Sequence, residues 1–334
     1  MYSEEDLNSA VAAGVIEQQS VTALREYVAG KRVTPSVDEE NFRLVSSFND
    51  IFVVIAILLL LSSLLWIGSS ADRSFGIALT AAASWGLAEF FTRKRHMALP
   101  SIVLLLTFVG GVFAFGVFSF DVNGISPSMK FGVPSAFAAL AAWLHWRRFH
   151  VPITIAAGTA AVVCVCVMTL FGFIPQSQDW VAPIIFIAGV SVFVVAMHWD
   201  ISDVVRQTKR SDVAFWLHLI AAPLLVHPIF SVLNVFDGEI GLWQASAVGF
   251  LYVLVAIISI SIDRRAMMVS ALVYVLYAFN ALLEQYGVVS LGFAVIAFSI
   301  GSGLLLLSAF WQACRKALIP LYPSKIRSLL PALK

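Results

Sequence analysis

Ten apolar runs of 16 to 23 residues fill the chain between Ile51 and Phe310. A hydrocarbon core roughly 30 Å thick requires about 20 helical residues, because each residue of an α-helix rises about 1.5 Å. The runs therefore predict an all-α fold, a polytopic transmembrane helical bundle of about ten spans. The predicted spans are Ile51–Ile67, Phe75–Phe91, Leu99–Phe118, Phe131–Trp146, Pro152–Phe173, Val181–Met197, Val213–Val235, Trp243–Ile262, Met267–Tyr286 and Val288–Phe310.

The positive charges are divided unevenly between the two sides of this arrangement. Of the 21 Lys and Arg residues, only Arg73 and Lys130 fall on the outer side when the N-terminus is placed inside. Cytoplasmic loops of membrane proteins carry such an excess of cations, so both termini are predicted to be cytoplasmic. The 19 inner cations are Arg25, Lys31, Arg32, Arg43, Arg93, Lys94, Arg95, Arg147, Arg148, Arg206, Lys209, Arg210, Arg264, Arg265, Arg315, Lys316, Lys325, Arg327 and Lys334.

The composition excludes several functional classes. Charged residues make up 12% of the chain, against about 25% in soluble proteins, and the spans leave no room for a soluble catalytic domain. Nucleic-acid binding would require a basic face, whereas the cations here are spread over the loops between spans, so no nucleic-acid partner is predicted. The three cysteines form no metal-binding or redox spacing, and no catalytic or nucleotide-binding motif is present. We therefore expect no enzyme activity, no cofactor and no metal.

Three segments are predicted along the chain: residues 1–48, 49–312 and 313–334. The first is a short cytoplasmic helical hairpin and linker, in which Ser3 caps one helix and Gly14 and Gly30 end the two helices. Ser36 and Glu39 form a capping box before the first span. Two such short helices bury too little surface to fold firmly alone, so we expect them to bind a cytoplasmic protein partner or to self-associate. Residues 313–334 are predicted to be a basic tail on anionic lipid.

A weak internal repeat accompanies the spans. Arg93 aligns with Arg147 and His96 with His150, each at an inner turn, which gives a two-helix unit of roughly 54 residues. Duplication of a helical hairpin would produce this period, and so would selection for positive inner loops.

The seventh span holds His218, Pro223, His227 and Pro228. Proline in a helix interior removes one N–H donor and clashes with the preceding turn, so Pro223 is predicted to kink or interrupt this helix. A broken helix can line a transport site, and we take His218, Pro223 and His227 as candidate pore or substrate contacts. Alternatively, the segment is a packed kink whose histidines are hydrogen-bonded.

The ninth span carries one polar face, which is predicted to point into the bundle. It could line a vestibule, with Tyr277, Asn280 and Glu284 as further candidate contacts, or it could hydrogen-bond to neighbouring helices. The face consists of Ser270, Tyr274, Tyr277, Asn280 and Glu284.

Other polar and aromatic residues at span ends are predicted to have structural roles. Glu89 and Arg93 stand four residues apart near the inner end of the second span and predict a structural ion pair. The cluster His198, Trp199, Asp200 and Asp203 could be an interfacial metal or acid–base site, but a solvated loop is the favoured interpretation. Tryptophans at span ends, including Trp311, are predicted to lie in the interfacial aromatic belt.

The N-terminal region resembles a family of bacterial predicted multi-pass integral membrane proteins known only as a domain of unknown function. The resemblance rests on Asp6-Leu7, Ala13-Gly14-Val15-Ile16, Leu24, the run Asp38-Glu39-Glu40-Asn41-Phe42-Arg43-Leu44 and the run Phe48-Asn49-Asp50-Ile51-Phe52. Proteins of this family have a small helical hairpin before eight to ten spans. The resemblance implies a bacterial inner membrane, and it assigns no catalytic or binding residue.

The sequence favours two functions, and a membrane-embedded enzyme that uses the cluster around His198 and Asp200 is a third hypothesis. A small-solute transporter or permease is favoured by the span count, the proline-containing seventh span and the polar ninth span. A non-catalytic membrane scaffold or accessory subunit is favoured by the hairpin and by the absence of charged residues near the membrane midplane. A polar cavity between the seventh and ninth spans would favour transport, whereas a dry contact would favour the scaffold.

Overall fold

The computed structural model describes residues 4–31, 48–119, 124–203, 206, 208–234, 241–285, 292–327 and 329–331. All regular structure within these residues is helical, in agreement with the predicted fold class. The chain divides into two compact units, Met1–Glu40 and Asn41–Lys334.

The first unit contains α1 (Glu4–Ala12) and α2 (Gln18–Lys31). Gly14 follows α1 with φ +70°, and the N–H of Val15 bonds to the carbonyl of Ala10 at 2.9 Å. Glycine adopts this left-handed conformation without a Cβ clash, which explains why the helix ends there. The predicted caps at Ser3, Ser36 and Glu39 lie outside the described residues.

The described residues of the second unit form ten long helices at the positions of the ten predicted spans, followed by two short ones. The long helices are α3 (Phe48–Ala71), α4 (Arg73–Ala88), α5 (Ala98–Ser119), α6 (Pro127–Phe149), α7 (Ile153–Phe173), α8 (Val181–Ile201), α9 (Lys209–Val232), α10 (Leu242–Ile262), α11 (Ala266–Gln285) and α12 (Gly292–Ala309). The short ones are α13 (Trp311–Leu318) and α14 (Ser324–Arg327). A π-helix, Glu89–Lys94, continues α4, and 3₁₀ turns Pro175–Trp180 and Ile319–Leu321 precede α8 and follow α13.

The prediction of about ten spans is too high, because fewer helices than that are long and apolar enough to cross a membrane. Seven helical segments in the described residues are long and apolar enough to cross a membrane, or eight if the segments Phe298–Ala309 and Trp311–Leu321, bent by 69°, count as one. The apolar stretch of α11 covers only Met267–Asn280. Helix α6 is 23 residues long, but Lys130 and His145 reduce its apolar character.

The main packing pairs are α3 with α4, α4 with α5, α5 with α6, α6 with α7, α8 with α9 and α10 with α11, and α9 also contacts α7 and α11. Gly189 brings α8 close to α9, since a Cβ at this position would lie 2.8 Å from the carbonyl carbon of Leu224. Pro228 cannot donate to the Leu224 carbonyl four residues earlier, so this contact lies where α9 lacks one backbone hydrogen bond. Helix α9 therefore packs against three other helices, α7, α8 and α11.

The turns on the predicted cytoplasmic side share one backbone feature. His96, His150, Arg206 and Asp263 follow four successive hairpins, and each has φ between 52° and 58°. Helices commonly end in a residue with the left-handed conformation. The four turns therefore have similar backbones, and this similarity does not by itself require duplication of a helical hairpin.

Candidate functional site: a buried charge network

The proline-containing helix α9 is continuous from Lys209 to Val232, so the predicted interruption at Pro223 is absent. Pro223 is exposed on the outside of the bundle. His218 is fully buried, whereas His227 is exposed and lies nine residues further along the same helix. The structure therefore does not bring these three predicted contacts together in one site.

His218 instead belongs to a contact between α8 and α9. Its Nε2 lies 2.9 Å from Oδ2 of Asp200, and its ring packs against Phe193 with centroids 5.3 Å apart. Asp200 is only 6% exposed. The expected solvated loop is thus wrong for Asp200, although His198 in the same cluster is exposed.

A second group on Asp200 comes from the turn between α10 and α11. The Arg264 guanidinium pairs with both oxygens of the carboxylate, with its Nε 3.2 Å from Oδ2. It also donates to the carbonyl and hydroxyl oxygens of Ser211 at 3.1 and 3.0 Å. Arg264 is 1% exposed, so this cation of the predicted cytoplasmic loops lies inside the protein and joins three helices.

Asp263, the neighbour of Arg264, binds a second set of groups. Its Oδ2 accepts from Arg206 and Arg315, each at 3.1 Å, and its Oδ1 accepts from the indole N–H of Trp311 at 2.7 Å. Trp311 is buried, so its predicted place in the aromatic belt is wrong. Arg315 also donates to the carbonyl of Pro331 at 2.9 Å.

The segment after α12 is consequently part of the bundle. Arg315 is fully buried, and Ile319 and Leu330 pack in one apolar cluster with Ala222 of α9 and Met267 of α11. The prediction of a basic segment on lipid is wrong for Leu330, whose side chain faces the protein. It stays a prediction for four exposed residues, Lys325, Ile326, Arg327 and Leu329.

We call this set of groups the buried charge network. Two carboxylates oppose three guanidiniums, and burial lowers the pKa of the Arg206 guanidinium, with the positive charge of Arg264 acting in the same direction. Burial of unpaired charges is costly, so the network forces α8, α9, the α10–α11 turn and α13 into one arrangement. Its members are Asp200, Arg206, His218, Asp263, Arg264 and Arg315.

The polar face of α11 is divided between different surroundings. Tyr274 stacks on Phe230 with centroids 4.8 Å apart, and its hydroxyl lies 3.0 Å from Nδ1 of His227. Tyr277 is 43% exposed, so the expectation that the whole face points inward is wrong. Asn280 is half-buried. The side chains of Ser270 and Glu284 lie outside the described residues.

Glu89 lies at the first residue of the π-helix and pairs with two arginines. Arg93 Nη1 is 3.3 Å from Glu89 Oε2, and Arg148 donates through Nε and Nη2 at 2.7 and 3.0 Å. The contact with Arg148 joins α6 to the end of α4. These side chains are partly exposed, so the cluster differs from the buried charge network.

The sequence alone did not reveal the importance of Asp263, Arg264 and Arg315. Arg264 and Arg315 have the pattern of ordinary loop cations, and Asp263 has no predicted role. The one available signal is an acidic residue directly before two arginines at a short turn. Among the described residues, no group of three or more His, Cys, Asp or Glu side chains could hold a metal ion.

Comparison with known protein families, with curated proteins and with solved structures finds no match to this chain.

Proposed function

We propose that this protein is a non-catalytic membrane scaffold or accessory subunit that recruits a partner through its N-terminal hairpin. The observation that carries the proposal is the apolar contact between α9 and α11, where a transport site was expected. Val226 and Phe230 of α9 pack against Ala271, Val275 and Ala278 of α11, and all five residues are buried.

A solute site needs a gap with a few convergent polar groups. Polar groups at this contact are hydrogen-bonded within the protein, since His227 and Tyr274 bond to each other across it. The buried ionisable groups of the network are likewise paired with one another at the predicted cytoplasmic end. A fixed, internally paired bundle favours support of a partner over movement of a solute.

The N-terminal unit presents apolar side chains to its surroundings. Val15, between α1 and α2, is 75% exposed and Leu24 of α2 is 46% exposed. Exposed apolar residues on a small helical unit favour docking of another protein. We therefore assign partner recruitment to this hairpin.

The proposed setting is a bacterial inner membrane, crossed several times, with both termini in the cytoplasm. The apolar helices support residence in a bilayer. The orientation takes all ten long helices as crossing the membrane, an assignment for which 19 of the 21 cations lie on the cytoplasmic side. The bacterial location rests on the resemblance of the N-terminal region.

A small-solute transporter or permease is the alternative, and one observation favours it. Ionisable residues buried in a membrane bundle often mark a pathway, and the buried charge network could close such a pathway at its cytoplasmic end. In that case the bundle would have a second state in which α9 and α11 separate.

Cysteine accessibility distinguishes the two functions without knowledge of a substrate. In a chain whose native cysteines are replaced, Ala278→Cys should stay unreactive towards a membrane-impermeant maleimide, both in intact cells and in inverted vesicles. Ser126→Cys provides the reactive control, since Ser126 is exposed before α6. Labelling of Ala278→Cys before denaturation would favour transport.

Recruitment is tested by a photoactivatable crosslinker at Val15 in the full-length protein. A defined crosslinked partner should be lost in Leu24→Glu and retained in Gln19→Glu, a matched change at an exposed position of the same helix. Equal crosslinking in both variants would contradict a role of the apolar surface of the hairpin.

A further inference from the structure

A cavity of about 400 Å³ lies between α6, α7 and α8, and none of its lining residues belongs to the buried charge network. Ala139 and Trp143 line it from α6, Thr154 and Val162 from α7, and Ser191 from α8. Trp143 is 53% exposed and Val162 is also exposed, so the cavity is a groove open to the outside of the bundle.

The polar side chains along the groove are occupied by the protein itself. Thr154 Oγ1 lies 3.2 Å from Nδ1 of His145, Thr159 donates to the carbonyl of Ile155 at 2.8 Å, and Ser191 donates to that of Ile187 at 2.9 Å. The surface left for an occupant is therefore mainly apolar. From Thr154 to Val162 the groove follows α7 for eight residues, which corresponds to about 12 Å.

One end of the groove carries positive charge. The Arg147 guanidinium lies over the Trp143 ring at 5.2 Å, and Trp143 lines the groove. Among the described residues Arg147 has no carboxylate partner, whereas its neighbour Arg148 is bound to Glu89. An exposed cation at the end of an apolar groove complements a molecule with an anionic head and an apolar chain.

We propose that this groove binds one anionic phospholipid of the inner leaflet. An acyl chain lies between α6, α7 and α8, and the headgroup phosphate pairs with Arg147, which is fixed above Trp143. The proposal goes beyond the scaffold function and uses the predicted orientation, in which the turn between α6 and α7 faces the cytoplasm. Arg147 is the residue that selects anionic over zwitterionic lipid, because the apolar lining does not distinguish headgroups.

The test is native mass spectrometry of the purified full-length protein in detergent, titrated with phosphatidylglycerol or with phosphatidylcholine of the same acyl chains. We expect tighter binding of phosphatidylglycerol by the unaltered chain. Arg147→Gln should weaken phosphatidylglycerol binding roughly fivefold, the value expected for one cation near a lipid surface, and leave phosphatidylcholine binding unchanged.

Arg95→Gln is the matched control, because Arg95 is also an exposed arginine over an aromatic ring, that of Phe90 at 5.5 Å, and Phe90 does not line the groove. Ala139→Phe fills the groove from α6 and should weaken binding of both lipids. If that variant is not recovered folded, Ser191→Phe fills the groove from α8.

Three results would overturn the proposal. They are equal binding of the two lipids by the unaltered chain, equal effects of Arg147→Gln and Arg95→Gln, and unchanged binding in a monodisperse groove-filled variant. A fourth overturning result would be binding of inorganic phosphate with no binding of either lipid, which would show an anion site that holds no acyl chain. None of these results depends on the hairpin or on solute movement, so failure here leaves the scaffold proposal standing.

Discussion

The substitution Asp263→Asn measures how strongly the buried charge network depends on one carboxylate. Asp263 has φ 58°, a left-handed conformation that asparagine also tolerates, so the backbone of the α10–α11 turn can persist. The asparagine oxygen can still accept from Trp311. The change therefore removes the negative charge that Arg206 and Arg315 approach at 3.1 Å.

The expected loss in free energy of unfolding is about 3–5 kcal/mol, the usual cost of removing one partner from a buried ion pair. Asp263 is 4% exposed, and the two guanidiniums beside it are no more than 5% exposed, so water cannot replace the carboxylate. The assay is unfolding in mixed micelles by titration with dodecyl sulfate, followed by far-UV circular dichroism.

Glu89→Gln is the control, because it also removes a carboxylate from two arginines but at a partly exposed position, where we expect a clearly smaller loss. Adding Arg315→Gln to Asp263→Asn should recover part of the lost stability, since one uncompensated charge is removed with it. The reasoning is refuted if Asp263→Asn costs no more than Glu89→Gln, or if the double variant is less stable than Asp263→Asn alone.

Two further predictions concern helix packing and orientation. Gly189→Ala should destabilise the protein by about 1–3 kcal/mol in the same unfolding assay, because its Cβ would overlap the backbone of Leu224, whereas Gly86→Ala, with no atom within 4 Å of the added Cβ, should not destabilise it. Equal stability of these two variants would show that α8 and α9 pack differently. In intact cells expressing a chain without native cysteines, Ser126→Cys should react with an impermeant maleimide and Ser324→Cys should not; reaction at both positions, or only at Ser324→Cys, would overturn the proposed orientation.

Local sequence signals were sufficient for the helices. Apolar runs and the glycine after α1 act over one or two helical turns, so their effect can be predicted without knowing which helices pack together. The effect of Pro223 could not be read in this way. A helix interrupted at this proline and a continuous helix that lacks one backbone hydrogen bond there have the same sequence, so only the structure distinguishes them.

The sequence by itself determined that this chain is an all-α bundle of long apolar helices, because hydropathy and helix length are properties of short stretches. Only the tertiary structure decided which charges are buried. Arg264 and Arg315 read as ordinary loop cations, and they became interior residues because α13 and the segment up to Pro331 pack against α9, α10 and α11. Burial of a charge depends on partners 50 or more residues away, Asp200 for Arg264 and Asp263 for Arg315, and no local pattern specifies that these pairs meet.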